Sequence, residues 1–132
     1  MDDAWWVRTK DFLPSIGERV LVISKFGMIT NQLYTNNGFP GKERFSPDGY
    51  KAGTDVKWWM PIPTDGWREV KFEKPDPGKR VLTMGMYGVI TDAIYRKSKF
   101  SDAMEFCPFR GFEPLFWREI PELPKGVVLI AQ

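Results

Sequence analysis

Apolar residues in this chain come in short runs that glycine and proline cut off. Arg19-Val20-Leu21-Val22-Ile23-Ser24 is rich in β-branched residues, follows Pro14-Ser15-Ile16-Gly17, and reads as a strand after a turn. Lys25-Phe26-Gly27 is a short connection in which glycine is free to take positive φ, and Met28 to Tyr34 returns as the second arm of a hairpin. The same order recurs in Pro75-Asp76-Pro77-Gly78, Arg80 to Met84, Gly85-Met86-Tyr87-Gly88 and Val89 to Tyr95. Val56 to Met60 and Leu115 to Trp117 read as closing strands, because Pro61, Pro63, Pro121 and Pro124 bar a helix there. Between these elements lie Thr35–Ala52 and Arg96–Pro114, read as long loops or irregular hairpins, with room for one short helix over Ser101 to Phe106. With 12 Gly and 11 Pro as punctuation, the expected class is mainly β.

The pattern is written twice. Trp6, Lys10, Pro14, Gly17, Arg19, Val20, Leu21, Gly27, Ile29, Thr30 and Tyr34 recur 61 positions later, from Trp67 to Tyr95. Unrelated segments of that length would share roughly two identities. Phe39/Phe100 and Phe45/Phe106 continue the register; three residues then drop out, and Trp59-Met60-Pro61-Ile62-Pro63 pairs with Trp117-Arg118-Glu119-Ile120-Pro121. The chain therefore divides into a first repeat (1–63), a joint (64–66), a second repeat (67–124) and a C-terminal strand (125–132). A unit of about 60 residues is marginal alone. The expected architecture is two small barrel-like units, loosely of the Src-homology-3 kind, packed as one domain about an approximate two-fold axis. The apolar tail Val127–Ala131 has no counterpart in the first repeat and calls for burial, as a strand completing the second unit's sheet or against another chain.

Charge and composition narrow the function. The net charge is +2 and is shared evenly by the two halves, so neither is a basic platform for duplex nucleic acid. The single Cys107 allows no intrachain disulfide, which fits a reducing compartment. The acidic start lacks the features of a signal peptide, and no apolar run approaches the roughly 20 residues that span a bilayer. The expectation is a cytoplasmic protein with no membrane partner. The absence of histidine removes the commonest general base and zinc ligand, and no Gly-rich phosphate loop is present, so neither a metal nor a cofactor is expected. Asp48 with Asp55, or Glu119 with Glu122, are the carboxylates left for a histidine-free hydrolase or nuclease, the weakest of the readings.

Candidate binding residues are the repeated Arg19 and Arg80, Tyr34 and Tyr95, and the aromatic residues Trp58, Trp59 and Trp117. The same Trp and Tyr suit a core, and the arginines suit a salt bridge. As a site, Arg offers a planar fork to phosphate or carboxylate, and aromatic residues beside Lys57, Arg96, Lys97 and Lys99 hold bases or form protein interfaces.

The leading Trp6, the Leu13-Pro14…Gly17-Glu18-Arg19-Val20-Leu21-Val22 core and the closing Trp59-Met60-Pro61-Ile62-Pro63 resemble a small domain of unknown function common in phage and prophage proteins. The second repeat departs from it at Trp117-Arg118-Glu119-Ile120-Pro121. The resemblance implies a phage or prophage setting and no activity. The expected function is non-catalytic binding of a nucleotide-like host signal or another block on host defence, at a groove or paired pockets where the units meet. The alternative is a protein–protein adaptor or host-enzyme inhibitor, with a homodimer as a further expectation.

Overall fold

The computed structural model describes residues 5–48, 55–107 and 113–130, and in these every regular element is a β-strand. The chain forms two compact units, Met1–Ile62 with Glu122–Ile130, and Pro63–Pro121.

The first unit holds β1 (Val7–Arg8), β2 (Arg19–Ser24), β3 (Ile29–Thr35), β4 (Arg44–Ser46) and β5 (Val56–Pro61). All pairs are antiparallel and give the order β1-β5-β2-β3-β4, which does not close on itself. The entry turn is closed by Gly17 N–H donating to the Tyr34 carbonyl (2.7 Å) and Tyr34 N–H to the Glu18 carbonyl (2.9 Å). At the far end Gly27 takes φ +78°, a conformation that favours glycine, and its N–H bonds the Ser24 carbonyl at 3.0 Å. Side chains alternate across β2: Val20 and Val22 join Tyr34, Phe45, Val56 and Trp59 in one cluster, while Leu21 and Ile23 are buried on the opposite face. Burial on both faces explains why the run is continuously apolar.

The second unit holds β6 (Arg68–Glu69), β7 (Arg80–Met84), β8 (Ile90–Lys97), β9 (Met104–Cys107) and β10 (Phe116–Glu119). Its order, β6-β10-β7-β8-β9, matches that of the first unit. The registers match too. Arg19 opposite Leu33 corresponds to Arg80 opposite Ile94, and Tyr34 opposite Phe45 to Tyr95 opposite Phe106. The ring pairs stand 5.0 and 4.9 Å apart at tilts of 56° and 48°. Val70, Val81, Ala93, Phe106 and Trp117, with Tyr95 packed on them, make the second core.

Two expectations change, and a third is narrowed. Ser101 to Phe106 is not helical: Ser98 N–H bonds the Ala103 carbonyl (2.8 Å), and the chain then runs as β9, because Phe106 has to reach Tyr95 across the ladder. Of the two readings of Thr35–Ala52, the irregular hairpin holds for its described part, since Phe45 draws 44–46 onto β3; its residues 49–52 lie outside the described residues. The described residues of the tail form no ladder with the second unit. It turns at Gly126 (φ +85°) and rests on the first, with Ile130 N–H bonding the Gly27 carbonyl at 2.9 Å. Extended backbone buries alternate side chains only, so Val127 and Leu129 are half-buried while Val128 stays 82% exposed; Ala131 lies outside the described residues.

Candidate functional site

Most of the aromatic candidates serve the cores. Tyr34 is buried, and burial, with the nearby Glu43 carboxylate second, raises its phenol above the ordinary value. Trp117 is 3% exposed, donates its indole N–H to the Glu73 carbonyl at 2.8 Å, and carries the Arg68 guanidinium 4.8 Å above its ring. Trp59, half-buried, repeats that bond to the Phe12 carbonyl, also at 2.8 Å. In each unit the indole thus ties the closing strand to the segment before the Pro-x-x-Gly turn. Trp58 is half-buried under Arg8, 5.6 Å from its ring.

The arginines differ. Arg80 is mostly buried and pairs with the buried Asp92 carboxylate at 3.5 Å. The residue equivalent to Asp92 is Asn31, and Arg19 is exposed and donates to the Pro47 carbonyl at 3.3 Å.

The carboxylates considered for catalysis hold surface contacts. Asp55 pairs with Lys25 at 3.7 Å, and Asp48 accepts from Ser46 at 3.4 Å. Glu119 lies 3.4 Å from both Lys79 and Arg68; Lys79 is the larger cause that holds its carboxyl below the ordinary range. Among the described residues no group of three or more Asp, Glu, Cys or His is arranged to hold a metal ion, and no helix is long and apolar enough to cross a membrane.

Open space lies instead at equivalent connections. In the first unit, an open hollow of about 820 Å³ lies on the β3–β4 connection and is lined by Asn36, Asn37, Phe39, Lys42, Glu43 and Arg44, among others. The loop is built by its own polar side chains. Thr35 Oγ1 accepts from Asn37 N–H (3.0 Å), Asn36 Oδ1 from Gly38 N–H (2.9 Å), and Glu43 Oε2 from Gly41 N–H (2.8 Å). Those contacts turn the Glu43 carboxylate onto the loop and leave Phe39, 63% exposed, beside the cations Lys42 and Arg44. In the second unit, a cleft of about 380 Å³ lies at the β8–β9 connection, lined by Lys74, Tyr95, Ser98, Ser101, Met104 and Glu113, among others. Phe100 stands between Ser98 and Ser101 and is 73% exposed, with Lys97 and Lys99 on the same segment.

Sequence reasoning placed Phe39 and Phe100 in register without assigning them a role. The signal was available. Both phenylalanines recur in register within connections, Tyr34 to Phe45 and Tyr95 to Phe106, that otherwise differ in content, and neither core uses them.

No family model, no curated protein and no solved structure matches this chain.

Proposed function

We propose that the chain is a non-catalytic binding protein for a nucleotide-like ligand, held at the β3–β4 hollow of the first unit. Phe39 offers a ring face to a nucleobase, and Lys42 and Arg44 meet the phosphate. The observation that carries this reading is the exposed Phe39 beside two cations in a loop stiffened by its own hydrogen bonds. Base–aromatic stacking contributes about 1–3 kcal/mol per base, and a preformed loop loses less entropy on binding. The two units descend from one duplicated ancestor of loosely Src-homology-3-like form, which accounts for their common strand order and register. The setting is phage or prophage, the place of action is the cytoplasm of a host cell, and the role is sequestration of a nucleotide signal or another block on host defence.

The experiment is to incubate the pure protein with a nucleotide extract, re-isolate it and identify what it retains by mass spectrometry. Retained, chemically intact nucleotide is the expected result. Altered nucleotide would favour a histidine-free hydrolase, and no retained nucleotide would refute the proposal.

A second reading, a protein–protein adaptor, draws on a different surface. The β2–β3 and β7–β8 tips expose Phe26 (65%), Met86 (69%) and Tyr87 (89%), a type of surface that partner proteins cover. Light scattering of the pure protein, alone and with a candidate host enzyme, tests for a homodimer or a mixed complex.

A further inference from the structure

The hollow on the first unit is open, and a flat ring face reads no base edge. The cleft on the second unit is different. Its volume, about 380 Å³, falls within the range of small-molecule pockets. Tyr95, half-buried and tilted against Phe106, forms part of its wall. Three charged groups line it, Lys74, Glu105 and Glu113, one more acid than base: Lys74 Nζ and Glu113 Oε1 are 3.5 Å apart, and Lys74 is further tethered to the Val70 carbonyl. A space lined by one more carboxylate than ammonium is a poor phosphate site and a better place for a neutral polar ring. Lys74 supplies donors and Glu113 acceptors, the two functions that distinguish one base edge from another. One cation stands outside: Lys99 is exposed on the connection that walls the cleft, next in sequence to the exposed Phe100, whereas Lys97 is paired with Asp102 at 3.2 Å.

From this placement we propose that the β8–β9 cleft is a nucleobase pocket, with the base inside it and the sugar-phosphate outward past Phe100 toward Lys99. This rests on the nucleotide reading and sharpens it: the second unit selects the base, whereas the first stacks bases without choosing among them.

The probes are fluorescein-labelled dA, dC, dG and dT dodecamers, and the four corresponding mononucleotides, titrated with the full chain in low salt. Fluorescence anisotropy reads the dodecamers. Chemical shifts of the Ser98 and Ala103 amides read the mononucleotides. One dodecamer is expected to bind at least about fivefold more tightly than the others. Glu113→Gln, an exposed and nearly isosteric change, should reorder that preference while the circular dichroism spectrum stays the same. Phe39→Ala should weaken all four dodecamers together and leave their ratios intact. If the mononucleotides show the same preference, the ligand is a free nucleotide; if only the dodecamers bind, it is a single strand. Equal binding of all four bases, or a preference that Glu113→Gln leaves unchanged, would overturn the pocket and leave the first unit's site standing. No binding to any probe would overturn both.

Discussion

Asp92→Asn tests whether the second unit depends on an ion pair that the first unit lacks. The Asp92 side chain is 2% exposed, the Arg80 side chain 18%, and Arg80 Nε lies 3.5 Å from Asp92 Oδ2. At that separation the attraction is about 4–5 kcal/mol with an effective dielectric constant near 20, and desolvation of both groups offsets much of it. Removing one member costs more than the pair contributes, because the remaining charge stays buried: about 3–5 kcal/mol for fully enclosed pairs. Arg80 retains some contact with water, so about 2–3 kcal/mol is expected here. For a chain of 132 residues that corresponds to a fall of roughly 7–11 °C in Tm. Arg80→Gln should cost a similar amount. The double variant should cost clearly less than the sum, with a coupling of at least about 1 kcal/mol in urea denaturation. Asn31→Asp, the reciprocal change, buries a carboxylate in the first unit, where Arg19 reaches toward Pro47, and should destabilise rather than create a second pair. A loss under about 0.5 kcal/mol for Asp92→Asn, or additive single variants, would refute the reasoning.

Three further outcomes are expected. Trp59→Phe and Trp117→Phe each remove an indole bond of 2.8 Å and some packing, so each should lower stability by about 1–3 kcal/mol in denaturant titrations, with the larger loss at the more buried Trp117. Gly27→Ala forces a strained φ of +78° and sets a Cβ 3.0 Å from backbone atoms of Val128 and Ile130; Gly88→Ala, at φ +77°, carries the backbone strain with no such contact. The first should therefore lower Tm more than the second, and equal losses would mean that the tail does not hold the β2–β3 tip. Tyr34 has its phenol pKa raised in the folded state, so the folded protein keeps that proton more tightly than the unfolded chain. Its stabilising contribution is full below about pH 10 and lost as pH rises beyond that, and Tyr34→Phe should flatten the alkaline fall in unfolding free energy.

How far the sequence was legible follows from what each residue has to satisfy. The strands over 19–24 and 80–84 were readable because apolar runs with β-branched residues followed Pro-x-x-Gly turns, and that over 56–61 because Pro61 and Pro63 bar a helix there; such turn and breaker chemistry is local. β4 and β9 were not, because three or four residues anchored by one Phe on one Tyr carry almost no local signal. The two-residue β1 and β6 are strands only by virtue of the closing strands beside them. The tail was misplaced for a similar reason: its apolar content called for cover, but nothing local distinguished the Gly27 tip from the second unit's sheet. For the site, recurrence of Trp and Tyr marked the cores rather than a ligand surface. Burial competes with binding for the same residue types, and only the positions of Phe39 and Phe100 outside both cores separate the two.

The most direct test of the central claim is a titration of adenosine monophosphate into the ¹⁵N-labelled chain, followed by amide chemical shifts. The account predicts saturable shifts over Asn36 to Arg44, lost in Phe39→Ala and weakened in Lys42→Ala, with the remaining spectrum of each variant unchanged. Saturable shifts that persist unaltered in Phe39→Ala, or no shifts in this segment at millimolar nucleotide, would contradict it.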